Sequence, residues 1–276
     1  MGELLRKLSN LLNAQVLGNG PETLVLAHGF GCDQSSWQHL SPWLMQRYRV
    51  VVFDLACAGT VATEAFDMRR HGDINGYVDD LLTVLDDLEI DRCIYIGHSA
   101  SGMIGLLASI RQPRRFEKVI AMGASARYRN DHDYIGGFDA PSLNAIFDAI
   151  EQNFRDWARS FAPIAVGRDV EDPATMEFTR SLLSLRPDIA LVAAKTIFLG
   201  DWRAQLPACP VPTVILQSNN DPAVPAAAAE YLHRHLPLSE FELMDTKGHL
   251  PHLSAPYVVS LALRRYLPRF QPHGPS

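Results

Sequence analysis

Apolar residues fall into short, nearly continuous runs separated by stretches with helical spacing. TLVLAHG (23–29), YRVVVFD (48–54), RCIYIGH (92–98), KVIAMGA (118–124), PTVILQS (212–218) and EFELMDT (240–246) predict β-strands. Between several of them lie amphipathic segments such as GYVDDLLTVLDDLEI (76–90). Runs of valine, isoleucine and leucine without strict alternation belong to strands buried on both faces. Strands and helices in turn predict an α/β fold, a mostly parallel central sheet flanked by helices. Functional sites in such sheets sit at the carboxyl ends of the strands.

The strand rhythm stops between residues 127 and 200. That segment is helical in pattern and carries Tyr128, Tyr134, Phe138, Phe147, Phe154, Trp157, Phe161, Phe178 and Phe198. It is too long for a loop, so it predicts a helical lid inserted between two strands. The expected organisation is a core of residues 1–126 and 201–270, a lid of residues 127–200 and a frayed tail over 271–276. Leu4, Leu5, Leu8, Leu11 and Leu12 form a stripe that predicts a short N-terminal helix packed on the core.

Composition narrows the function classes. The 276 residues are 47% hydrophobic and 20% charged, ordinary for one globular α/β domain. A net charge of −6 argues against a nucleic-acid partner. No apolar run approaches the length of a membrane span, and the N-terminus lacks the apolar centre of a signal peptide. Gly2 lacks a myristoylation context, because Arg6 stands where serine or threonine is wanted. Cys32, Cys57, Cys93 and Cys209 lie far apart with no C-x-x-C pair, which reads as reduced, buried thiols of an intracellular protein. No metal-ligand spacing appears, and nothing suggests a cofactor.

The chemistry centres on GHSAS (97–101), between a predicted strand and a predicted helix. A serine on such a turn is presented as a nucleophile, but a free hydroxyl needs a base, and the base needs an orienting acid. Asp221 in NNDPAVP and His249 in KGHLPH each follow a strand, so Ser99, Asp221 and His249 share one sheet edge in the chain order Ser, Asp, His. The backbone N–H groups of Ala100 and Phe30, the latter in HGFG (28–31), are the expected oxyanion donors. Ser101 departs from the G-x-S-x-G signature, and Gly102 follows at once. His252 competes with His249 for the role of base, and Asp54 is an alternative acid. His98 is expected to pack with its ring turned from Ser99, and His28 to brace its loop.

HGFGCDQSSW, FDLACAG, GHSAS with GMIGLLASIRQP, NDHDYIGGF and GHLPHLSAP resemble the plant strigolactone and karrikin receptor family of α/β-hydrolases. The resemblance runs from about residue 13 to 268 and includes Ser101. It implies an α/β-hydrolase core under a V-shaped lid of four helices, with a deep apolar pocket between them. By motif, Ser99, Asp221 and His249 match the family's triad, and Phe30, Tyr128, Trp157, Phe161 and Phe198 match pocket-lining positions. Phe178 is assigned to lid packing. The family binds apolar butenolide signals, cleaves them slowly, and then recruits an F-box protein and a repressor in cytoplasm and nucleus. A monomer with no membrane partner is expected. A small-molecule carboxylesterase or lactonase is the alternative. Where the family usually has proline, this chain has Ala126, which would free that backbone by ~1 kcal/mol of entropy.

Overall fold

The computed structural model describes residues 7–270. Its strands are β1 (Gln15–Leu17), β2 (Thr23–Ala27), β3 (Arg49–Phe53), β4 (Cys93–His98), β5 (Phe116–Met122), β6 (Thr213–Asn220) and β7 (Ser239–Lys247). They form one sheet in the order β1-β3-β2-β4-β5-β6-β7. β1 pairs antiparallel with β3, and every other pairing is parallel. The six predicted strands are β2 to β7. β1 was not predicted, because three residues are too few to show either an apolar run or an alternation.

The helices are α1 (Leu8–Leu11), α2 (Ser41–Leu44), α3 (Met68–His71), α4 (Ile74–Asp87), α5 (Ala100–Arg111), α6 (Ala140–Val166), α7 (Pro173–Ser184), α8 (Pro187–Leu199), α9 (Ala226–His235), α10 (Pro251–Ser254) and α11 (Pro256–Tyr266). Successive residues of the central strands point to opposite faces, and both faces are covered. Val25 and Ala27 of β2 pack with Val78, Leu81 and Leu85 of α4 and Met103 and Leu107 of α5. Leu24 and Leu26 pack on the other side with Leu44 of α2 and Val259 and Leu263 of α11. This two-sided burial explains why the strands read as continuous apolar runs. Leu12 is fully buried after α1, while Leu4, Leu5 and the tail 271–276 lie outside the described residues.

α6, α7 and α8 lie between β5 and β6 and close over the carboxyl edge of the sheet. α6 is two rods that meet at Asn153, whose backbone is non-helical (φ −153°, ψ 77°). The Asn153 side chain accepts from the N–H of Asp156 at 3.2 Å and so caps the second rod. Where the chain enters and leaves this helical layer, the two segments are tied. Trp202 N–H donates to Ala126 O at 2.9 Å, and Arg127 and Arg203 both reach Asp201 and Asp131. Ala126 is fully buried there. Cys32, Cys57, Cys93 and Cys209 are buried and free. Among the described residues no helix is long and apolar enough to cross a membrane.

Gly97 shows how tightly β4 and α5 approach. A Cβ there would lie 2.4 Å from Ser101 O and 2.7 Å from Gly102 N. Backbone cannot yield as a flexible side chain does, so Gly97→Ala is expected to destabilise the protein by about 3 kcal/mol. Denaturant unfolding checks this; a loss below roughly 0.5 kcal/mol, the scale of a neutral surface change, would contradict it.

Candidate active site

Ser99 occupies the single-residue turn between β4 and α5. Its backbone is in the left-handed region (φ 56°, ψ −125°), a conformation that costs a non-glycine residue on the order of 1–3 kcal/mol. The turn persists because its surroundings over-determine it. Ser99 N–H donates to Met122 O at 2.8 Å, and a Cβ at Gly102 would meet the Ala124 methyl at 2.5 Å. The result is a hydroxyl raised above the sheet edge at the positive end of a helix.

β6 and β7 deliver two further groups to the same edge. Asp221 follows β6, and its Oδ1 accepts from the N–H groups of Ala223 at 2.8 Å and Val224 at 3.0 Å. Its Oδ2 faces His249 Nδ1 at 2.8 Å and accepts from Gln217 Nε2 at 3.2 Å. His249 follows β7 through Gly248, which has φ +85° and lies so close to Val166 that a Cβ there would stand 2.0 Å from its carbonyl oxygen. Its Nε2 is 2.8 Å from Ser99 Oγ. An ionised carboxylate only accepts, so the Nδ1 proton belongs to the Asp221 bond and Nε2 is left to accept from Ser99. His249 is also fixed by its backbone: its N–H donates to Ala165 O of α6, and its carbonyl accepts from His98 Nε2, each at 2.7 Å.

With the Ser99 proton committed to His249, the contact of Tyr128 with Ser99 Oγ at 3.1 Å has the tyrosine O–H as donor. Burial raises the Tyr128 pKa above the ordinary phenol value, so this proton stays in place. The N–H groups of Phe30 and Ala100 have no acceptor among the described residues, and both residues sit beside Ser99.

The other titratable neighbours are held elsewhere. His252 makes no bond to Asp221; its ring stacks on Trp37 with centroids 4.9 Å apart and lies 4.4 Å from His98. Asp54 is buried and bound by Gln34 N–H, Asn13 Nδ2 and Thr60 Oγ1, so it ties three loops and does not reach His249. His28 Nε2 accepts from Leu55 N–H at 2.9 Å, which bridges its loop to the one after β3.

Burial, the largest cause, lowers the pKa of His98 well below its ordinary value and that of His252 to about 3, helped by their imidazole neighbours. The folded chain therefore keeps them neutral while the unfolded chain protonates them below pH about 6.5. The unfolded state then holds more protons, so stability falls as pH falls, by about 1.4 kcal/mol per pH unit for each imidazole. His252→Phe keeps the stack and removes one of these protons. Its stability loss from pH 6.5 to 5 is expected to be smaller than that of the wild type by about 2 kcal/mol. Unfolding curves at the two pH values decide; an unchanged loss would place the proton elsewhere.

The space above Ser99 is small. A cavity of about 20 Å³ is bordered by Phe30, His98, Ser99, Tyr128, Phe161, Ala165, Phe178, Ile197, Phe198, Ala223, His249 and Leu250. That is room for about one water molecule. A second, apolar chamber of about 290 Å³ lies next to it, lined by Phe138, Ile146, Trp157, Ser160, Phe161, Ile164, Ala165, Pro222 and Ala223. Phe161, Ala165 and Ala223 are the shared wall. The structure thus brings Phe30, Tyr128, Phe161 and Phe198 to Ser99 and places Trp157 in the outer chamber. Trp157 stacks on Phe161 with centroids 5.1 Å apart. Phe178, read from the sequence as packing, borders the inner cavity as well. Ala165 was not singled out; its position four residues after Phe161 on one helical face was the available signal.

A model of the alpha/beta hydrolase family matches residues 24–261. The chain is 48% identical to strigolactone esterase D14 of Arabidopsis thaliana, over 94% of this chain and 97% of that protein. It is 45% identical to karrikin insensitive 2 receptor CA of Petunia hybrida, over 92% of this chain and 95% of that one. Among solved structures, a hydrolase from Oleispira antarctica superposes with a TM-score of 0.89 at 29% identity, covering 94% of this chain and 95% of that chain. The chain therefore belongs to the alpha/beta hydrolase family, in the group that holds the strigolactone esterases and karrikin receptors. It is a serine hydrolase by class.

Proposed function

We propose that the protein is a receptor for butenolide-type hormones that slowly hydrolyses its own ligand through Ser99, His249 and Asp221. The observation that carries the reading is the unbroken hydrogen-bonded chain from Ser99 Oγ through His249 to Asp221, set under an aromatic lid in a member of this group. His249 Nε2 takes the Ser99 proton as Oγ attacks the ligand's ring carbonyl. Asp221 holds the imidazole tautomer and stabilises the imidazolium that forms. The Phe30 and Ala100 N–H groups receive the charge that develops on the carbonyl oxygen. As the bond between the carbonyl carbon and its ester oxygen breaks, His249 returns the proton to that leaving oxygen. The acyl fragment stays on Ser99, or passes to His249, until water slowly cleaves it off.

The small inner cavity fits slow turnover. A carbonyl reaches Ser99 only after Tyr128 and the aromatic wall shift, so ligand entry and lid rearrangement are one event. The aromatic outer chamber suits an apolar ligand body. In the rearranged state the receptor recruits an F-box protein and a repressor, in cytoplasm and nucleus. The direct test is capture of a strigolactone-signalling F-box protein with and without a synthetic strigolactone analogue. Ligand-dependent capture is expected. Capture that no ligand promotes, together with rapid turnover of simple esters, would leave an esterase without a signalling role.

A further inference from the structure

The departure of the elbow from G-x-S-x-G has a structural use. Ser101 is fully buried, and its hydroxyl makes a short hydrogen bond to the backbone carbonyl of His28. Its own carbonyl accepts from Tyr95 O–H at 2.9 Å, which fixes the first turn of α5. Ser101 therefore stands one residue after Ala100 and reaches across to the loop that carries Phe30. These are the two residues whose N–H groups serve as oxyanion donors in the proposed function.

The loop end of this bond is equally constrained. Leu55 N–H donates to His28 Nε2, so the His28 proton is on Nδ1 and points to Gly29 O at 2.9 Å. Burial lowers the His28 pKa, which keeps that neutral tautomer. Cys32 N–H donates to the same Gly29 carbonyl at 3.2 Å. Of two consecutive peptide carbonyls, that of His28 is thus held by Ser101 from α5 and that of Gly29 by groups of its own loop. In a planar trans peptide the N–H lies opposite the C=O, so anchoring Gly29 O turns Phe30 N–H the other way. The loop passes close over the nucleophile: a Cβ on Gly29 would lie 3.0 Å from Ser99 Cβ and 2.7 Å from His98 Nδ1.

We infer that Ser101 is a positioning residue of the oxyanion hole: its hydroxyl, bonded to the His28 carbonyl, sets the spacing between the Phe30 and Ala100 N–H donors. A glycine at this place has no hydroxyl to make that link. The inference rests on the oxyanion reading given under the proposed function. Removing an oxyanion donor outright costs roughly 10²–10³-fold in rate. Loosening the loop that carries one is expected to cost about tenfold.

The test uses Ser101→Ala and Ser101→Gly, the second of which restores the glycine signature. Burst kinetics with 4-nitrophenyl acetate separate the acylation rate from ground-state binding, and phenylboronic acid forms a tetrahedral adduct on Ser99. Both variants are expected to melt within a few degrees of the wild type. They should acylate about tenfold more slowly with unchanged ground-state binding, and bind phenylboronate correspondingly less tightly. Ser101→Thr, which keeps the hydroxyl, is expected to recover most of the rate. Variants that acylate and bind phenylboronate like the wild type would overturn the role of Ser101 alone. A wild type that forms no phenylboronate adduct would overturn the oxyanion reading beneath it.

Discussion

Ser99→Ala is expected to lower ester hydrolysis by roughly 10⁴–10⁶-fold while leaving the fold and the apolar pocket in place. The size follows from the geometry. Ser99 Oγ is the atom that His249 Nε2 faces at 2.8 Å and that Tyr128 contacts at 3.1 Å. No other hydroxyl stands at the elbow with its proton committed to a base. Ser101, two residues on, is turned into the fold and bonded to the His28 carbonyl, so it does not substitute. The measurement is 4-nitrophenyl acetate hydrolysis beside a melting curve. A variant with near-normal melting and a rate within tenfold of the wild type would move the nucleophile elsewhere.

Asp221→Asn is the second large effect, a fall of about 10⁴-fold. The carboxyl group is nearly sealed and receives His249 Nδ1–H, Gln217 Nε2 and two backbone N–H groups. An asparagine keeps the backbone bonds through its oxygen but turns an NH₂ toward His249 Nδ1. That imidazole then carries its proton on Nε2 and no longer accepts from Ser99. The loss is expected in the acylation rate, with ground-state binding preserved. A loss of that size in Asp54→Asn, with Asp221→Asn unaffected, would assign the acid to the loop after β3 instead.

The strands β2 to β6 were legible because they are largely buried on both faces, and a run such as VVVF leaves little choice. β7 lies at the sheet edge with only Met244 and Thr246 buried, and its apolar Phe241, Leu243 and Met244 marked it. The chain order of Ser99, Asp221 and His249, each after a strand, pointed to three residues that the structure brings within hydrogen-bonding distance. The sequence favoured His249 over His252 because it follows Gly248 at the strand end, and the fold shows the physical reason. Both follow β7, and it is the Gly248 turn against α6 that aims one at Ser99 and leaves the other on Trp37. The contact of Tyr128 with Ser99 depends on how the chain leaves β5, and no local pattern encodes it. The use of Ser101 was hidden for the same reason, because its partner lies 73 residues away. β1 and the break at Asn153 were missed because a three-residue strand and a single non-helical residue carry too little periodicity to read.

The most direct test of the receptor reading is the intact mass and melting temperature of the wild type and Ser99→Ala with a synthetic strigolactone analogue. The account predicts a ligand-derived mass increase and a melting shift in the wild type, and no mass increase in Ser99→Ala. Rapid hydrolysis of simple esters by the wild type, with neither a mass increase nor a melting shift, would contradict it.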